Sequence, residues 1–180
     1  VTLTVTPSFD ALIVKLGDFI ASILPALPGD TPPVIQMPAN RTSMPLPVPG
    51  FVGMTPSLQR RIATNFENWE RDGNPDSVEY EQSVSVAVQC DFYGSRAADW
   101  ATMFATVMRS EYACRQLAPI AAPLYNDDPR FAPLVDGEEE YESRWIVTAY
   151  VQYNPVTSTP EQFATTLEAD LINVDVSYPP

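Results

Sequence analysis

Side chains able to make or break bonds are scarce in this sequence, and nearly all of them are carboxylates. The 180 residues hold no histidine, one lysine (Lys15) and two cysteines, against 23 Asp and Glu. Without histidine the chain lacks the side chain most used for proton transfer near neutral pH and the commonest metal ligand. With one lysine, little Schiff-base or phosphate-gripping chemistry is open to it. The carboxylates gather in two places. Asp127 and Asp128 fall in a turn signal, while Asp136, Glu138, Glu139, Glu140 and Glu142 crowd one hairpin. Two such acids facing each other across a cleft would suit glycoside hydrolysis. Calcium needs oxygens at alternating loop positions, and no Asp-x-Asp-x-Asp-Gly pattern occurs. A charge run is most simply a solvated face. A carboxylate-based hydrolase is therefore kept only as the alternative from a different class.

Nucleophilic catalysis has less support. Cys90 and Cys114 have no histidine partner, no Gly-x-Ser-x-Gly elbow occurs, and Gly50-Phe51-Val52-Gly53 is not followed by the Lys-Ser/Thr of a phosphate loop. These residues predict a protein that acts through its surfaces, with no catalytic group, metal or cofactor. The two cysteines read as buried free thiols, suited to intracellular assembly. A formal net charge of −13 argues against ordinary nucleic-acid binding, which needs clustered cations. Each of the few arginines is expected to meet a carboxylate, Arg130 beside Asp128 and Arg144 beside Glu142 being local pairs. Trp69, Trp100 and Trp145 read as core or interface anchors.

The elements that position these groups follow from patterning. Thr6 as N-cap, Pro7 at the first helical position and Asp10 in the first turn predict a helix start. Phe9, Leu12, Ile13, Leu16, Phe19, Ile20, Ile23 and Leu24 give it one apolar face, and Pro25 ends it. From Pro25 to Pro49 prolines recur too often for a regular core element, which predicts an extended linker or an arm across a neighbouring subunit. Val34, Ile35, Met37 and Met44 supply that stretch with apolar side chains. Residues 60–66 alternate as a strand, and Asp72-Gly73-Asn74-Pro75-Asp76 predicts a hairpin into the next one. That next strand carries Val84, Val86, Val88, Cys90 and Phe92 on one face. Gly94 breaks it, and Ser95 caps a single helix whose stripe runs from Ala97 to Glu111, fading by Ala118 before Pro119.

Short extended pieces follow around Leu124 and from Phe131 to Val135. Asp136-Gly137 predicts a two-residue hairpin turn, then a long strand from Tyr141 to Tyr153. Thr159-Pro160-Glu161-Gln162 has capping-box spacing and predicts a brief helix; alternation from Ile172 to Tyr178 predicts a last strand. The class is α+β: a largely antiparallel sheet flanked by an N-terminal helix and a central helix, with a proline-rich extended arm. One domain is expected over 1–180, divided into helix (1–24), arm or linker (25–50) and core (51–180). No stretch is apolar and long enough to span a bilayer, so no membrane partner is expected. The opening Val1-Thr-Leu-Thr-Val lacks the basic run of a signal peptide, so no export is expected.

Several blocks, in order, carry a family resemblance: Val88-Gln-Cys-Asp-Phe-Tyr-Gly94, Ala121-Ala-Pro-Leu-Tyr125, Asp128-Pro-Arg130, Tyr141-Glu-Ser-Arg-Trp145 and Val151-Gln-Tyr-Asn-Pro155. Over Gln82 to Pro155 the chain resembles the neck or tail terminators of tailed bacteriophages. The resemblance implies a virion structural protein, assembled in the host cytoplasm. It forms a ring, usually hexameric, that caps the tail tube and docks head-completion or connector proteins, with sheath proteins as further neighbours. DNA would pass through the lumen without specific binding, and lumenal carboxylates would keep phosphate mobile. The interface candidates are Pro32, Pro33, Val34, Ile35, Met37 and Met44 in the arm, Arg60 and Arg61 as cations, and Asp136, Glu138, Glu139 and Glu140 in the hairpin. Another neck or head-closure component is the alternative within the class, and a monomeric binding module a third reading.

Overall fold

Alternation of apolar residues over 84–92 and 145–153 sets the centre of the fold, because two such segments bury their apolar rows only by pairing and being covered on one face. The computed structural model describes residues 3–24, 33–37, 45, 50–70, 77–135 and 141–160. In chain order the elements are β1 (Val5–Thr6), α1 (Phe9–Ile23), β2 (Val34–Gln36), β3 (Phe51–Arg61), β4 (Phe66–Glu70), β5 (Ser77–Glu81), β6 (Val84–Tyr93), α2 (Ala97–Val107), α3 (Glu111–Leu117), β7 (Ala121–Asn126), β8 (Arg130–Phe131), β9 (Leu134–Val135), β10 (Tyr141–Glu142), β11 (Arg144–Tyr153) and β12 (Val156–Pro160). The class is α+β, with helices near the N-terminus and at the centre of the chain and mostly antiparallel sheets. No described helix is long and apolar enough to cross a membrane.

The main sheet has the order β2-β3-β6-β11-β7, with β8 also on β11; only the β2–β3 pair is parallel. A smaller sheet, β1-β12-β5-β4, continues it. Arg61 faces Val84 and Tyr153 faces Val84 in the first sheet; just beyond, Phe66 and Val156 both face Glu81 in the second. Three ribbons thus run β3–β4, β6–β5 and β11–β12, each interrupted at the same level. Interruptions at residues 62–65, 82–83 and 154–155 fall opposite one another, and backbone bonds hold them: Ile62 N to Ser83 O at 3.0 Å and Gln82 N to Pro155 O at 3.1 Å.

One face of the main sheet forms the core. Val84, Val86, Val88, Cys90 and Phe92 meet Val147, Ala149, Val151 and Tyr153 under Trp100, Phe104 and Leu117. α2 packs on β6 and β11, α3 on β7, and α1 on β2. Each fully buried side chain of this size stabilises the fold by roughly 1.5–3 kcal/mol. Gly50 adapts the entry to β3: its φ is +130°, and a Cβ there would lie 2.6 Å from the Tyr93 carbonyl oxygen and 2.8 Å from the Trp100 ring.

Several expectations change. Helix α1 keeps its apolar face but is capped by Ser8, whose Oγ accepts from the Ala11 amide at 3.2 Å. Thr6 cannot cap because it is held in β1 opposite Val156. The central helix is two helices, and Ser95 caps neither. α2 starts after Arg96 without a side-chain cap, and Ser110 Oγ caps α3 by accepting from the Ala113 amide at 3.4 Å. A continuous helix would drive Glu111 into the row of Trp100, Phe104 and Met108; the turn puts it in solvent. The same rotation leaves Cys114 exposed, against the expectation of burial, while Cys90 is buried as expected.

The hairpin after Glu70 returns into β5 and not into the Val84 strand, which is reached only after the change of sheet. The long strand from Tyr141 is broken at Ser143 into β10 and β11. Val135 faces Tyr141, and the expected Asp136-Gly137 turn lies outside the described residues. Thr159 and Pro160 end a strand and do not open a helix; β5 captures them through Thr159↔Val78 and Pro160↔Ser77. In the proline-rich stretch, β2 is a regular strand after all, because Gly53 lacks a side chain: a Cβ there would lie 2.7 Å from Met37 Cγ and Sδ. The remainder of 25–49 beyond residues 33–37 and 45, and the expected strand over 172–178, lie outside the described residues.

Candidate interface surfaces

The main sheet has a second face that no described helix covers. It carries Tyr93, Asp91, Gln89, Ala87 and Ser85 of β6 opposite Arg144, Ile146, Thr148, Tyr150 and Gln152 of β11. At one end an ion pair is buried in it. Arg144 donates from Nε and Nη2 to Asp91 Oδ1 at 3.1 and 2.9 Å, and Gln89 Nε2 donates to the two carboxylate oxygens at 3.0 and 3.1 Å. The Arg144 guanidinium lies 5.8 Å from the Tyr93 ring centroid, and that ring stacks on Phe51 at 4.4 Å. Burial pushes the Tyr93 hydroxyl above its ordinary value, partly opposed by the Arg144 charge. Arg144 therefore pairs across the sheet and not with Glu142 nearby in sequence, since facing strands bring side chains together on one face.

Farther along this face the surface turns apolar. Tyr125 and Tyr150 stack at 4.1 Å, and with Leu58, Ile62, Leu124 and Arg60 they line a cavity of about 220 Å³. Leu58 is 57% exposed and Tyr125 54%, high values for large apolar groups clustered around one concavity. Contiguous exposed apolar surface of this kind marks sites of association. The Tyr150 hydroxyl is raised by desolvation, then by the Asp127 carboxylate and Tyr125. A face half polar-locked and half open suits a subunit that docks on other protein.

Comparison with known families points the same way. A family model described as phage neck terminator protein matches residues 10–178. The chain belongs to that family. No individual curated protein matches it. Terminators of the phage neck are structural proteins and not enzymes, so the hydrolase alternative falls with the family assignment. Membership places the chain with neck and tail partners in the virion.

The structure separates the interface residues singled out for this terminator. Val34 and Ile35 lie in β2, opposite Val52 and Gly53; Pro33 precedes them, its carbonyl accepting from the Val52 amide at 2.9 Å, and Met37 follows, its amide donating to the Met54 carbonyl at 2.9 Å. Arg60 and Arg61 stand exposed at the opposite end of β3. Pro32, Met44, Asp136, Glu138, Glu139 and Glu140 lie outside the described residues. Asp127 and Asp128 are exposed, and Asp128 meets Arg109 at 3.3 Å instead of Arg130, because Arg109 also donates to the Asn126 carbonyl at 2.9 Å and is thereby aimed at this turn.

Trp100 is fully buried as a core anchor, whereas Trp69 is 57% exposed. Cys90 is sealed under the helices, and burial, reinforced by Asp91, pushes its thiol well above the ordinary range. Sequence reasoning missed Leu58, Leu124 and the Tyr125–Tyr150 stack. The signal was present for one of them: Tyr150 falls on the non-core side of the β11 alternation.

Proposed function

We propose that the chain is a ring-forming tail terminator, with the hexameric symmetry that the resemblance implies. The family match over residues 10–178 carries this reading. The ring caps the completed tail tube, offers a docking face to head-completion or connector proteins, and contacts sheath proteins where the tail has them. It acts by surface complementarity without a cofactor. A closed ring needs two different, mutually complementary patches on every copy. The main sheet supports that requirement, since β2 and β7 are unlike strands at its two edges. Pro32, Pro33, Val34, Ile35, Met37 and Met44 serve the β2 side, with Arg60, Arg61 and the Asp136, Glu138, Glu139 and Glu140 hairpin as charged contacts. Residues 1–180 act as one domain in which segment 25–50 is the arm.

DNA passes through the lumen without specific binding. A net charge of −13 supports this, because carboxylates facing phosphate repel it and leave it mobile. Native mass spectrometry of the purified chain and a cryo-EM reconstruction of the particle test the reading. A hexameric ring at the junction of capsid and tail is expected. A monomer located elsewhere in the particle refutes it, and a lumen lined mainly by arginine refutes the electrostatic part alone.

A further inference from the structure

We propose that two copies of this chain pair edge to edge, antiparallel, along the outer side of the β3–β4 ribbon, about an axis at Thr64. Such a contact is isologous, so it is separate from the heterologous contacts that close a ring and stands or falls independently of them.

The outer side of this ribbon is a long open edge. Among the described residues β2 covers β3 only at Val52–Met54, and β4 pairs only with β5. Every residue from Ser57 to Trp69 is exposed, with Leu58 at 57%, Ile62 at 47% and Phe66 at 65%. An unpaired edge of this length with apolar side chains is a template for another strand, and proteins that leave one unused commonly blunt it with proline or lysine. Pro123 interrupts β7 and Pro160 ends β12, whereas Ser57 to Glu70 contains neither proline nor lysine.

The order of charge along the edge selects the partner. Arg61 ends β3 and Glu67 lies in β4; both are exposed, and neither forms an ion pair among the described residues. Antiparallel pairing centred on Thr64 sets Arg61 of each copy opposite Glu67 of the other, and Ile62 opposite Phe66. The two side chains of each pair lie on the same side of the joined sheet, as a cross-strand pair requires. Arg61 faces Val84 on the helix-covered side, and Tyr80, the cross-strand neighbour of Glu67, lines one cavity with Gln59 and with Phe9 of α1. Ile62 lies on the other side, in the groove with Leu58 and Tyr150, and alternation puts Phe66 there too. A slip of one residue would separate the charges onto opposite sides. The axis falls in the interruption at residues 62–65 of both copies, so ladder bonds are needed only in the flanks, where 59–62 of one copy lie along 66–69 of the other. Each dimer thus gains two ion pairs and two apolar pairs from one register.

The test oxidises the full chain carrying Thr64→Cys with Cys114→Ser and follows the covalent dimer over time on a non-reducing gel. Residue 64 sits nearest its own counterpart, within reach of a disulfide, and a dimer is expected. Asn68→Cys in the same background is expected to stay monomeric, because its counterpart lies eight residues along the edge, about 26 Å away at strand rise. In the Thr64→Cys chain, Arg61→Glu and Glu67→Arg, each alone, are expected to slow dimer formation by about tenfold, since each sets two like-charged pairs face to face; together they are expected to restore it. A Thr64→Cys chain that stays monomeric, leaving this edge to a strand of a different protein, overturns the proposal. Equal cross-linking of Asn68→Cys also overturns it, as does a rate indifferent to the charge reversals or not restored when they are combined.

Discussion

Removing Arg144 from its pair with Asp91 should be among the most destabilising polar substitutions in this protein. Arg144→Met keeps most of the aliphatic stem over the Tyr93 ring but leaves the Asp91 carboxylate with only the Gln89 amide as a hydrogen-bond partner from this cluster. The Asp91 side chain is 3% exposed, so water cannot replace the guanidinium; that of Arg144 is 23% exposed, so part of its charge is already hydrated. Breaking a buried pair costs about 3–5 kcal/mol, and partial hydration puts this one near the lower end, about 3 kcal/mol. For a chain of this size that lowers Tm by roughly 6–12 °C. Asp91→Ala should cost less, about 1.5–2 kcal/mol, because the freed guanidinium can turn to solvent. Replacing both residues, Asp91→Leu with Arg144→Met, should be within about 1 kcal/mol of the parent, since no charge is then left buried. Urea unfolding at neutral pH reads all three as midpoint shifts at constant slope. If the two single costs simply add in the double variant, or if Arg144→Met costs under about 1 kcal/mol, the pair is not the desolvated unit described here.

Three further outcomes follow from the core. Gly50→Ala should destabilise by about 2–3 kcal/mol, through its positive φ and the contact with the Tyr93 carbonyl and Trp100 ring, read as a lower urea midpoint. Native protein should titrate one thiol with DTNB, Cys114, and a second only after unfolding, because Cys90 is sealed; two fast thiols would contradict the packing of β6. Cys90, Tyr93 and Tyr153 all have folded-state pKa values raised by burial. On raising the pH the unfolded chain therefore loses these protons first, so their contribution is complete below about pH 8.5 and declines above it. Unfolding followed between about pH 8 and 10 should show stability falling, with a shallower fall in Cys90→Ala; an equal slope in that variant would contradict a buried neutral thiol.

Much of this architecture is written locally. Alternation through Val84–Phe92 and Val147–Tyr153 and the three-and-four spacing of Leu12, Ile13, Leu16, Phe19 and Ile20 each fix which face of a segment leaves water, and the segment carries that information alone. The absence of histidine likewise excluded most proton-transfer chemistry without any coordinates. Boundaries were less legible. Thr6 and Thr159 have capping chemistry, but β12 and β5 claim their backbones; the helix from Ala97 splits because a charged Glu111 would otherwise enter the core.

The tertiary structure alone decided who meets whom. Asp91 and Arg144 are 53 residues apart, and Arg109 and Asp128 are 19 apart; Arg144 pairs with Asp91 in place of the expected Glu142, and Asp128 with Arg109 in place of the expected Arg130. The groove at Leu58, Ala87, Tyr125 and Tyr150 likewise draws on four strands, β3, β6, β7 and β11. Periodicity reports only whether a residue prefers water, whereas a cross-strand neighbour is set by register, and register exists only once distant segments have paired.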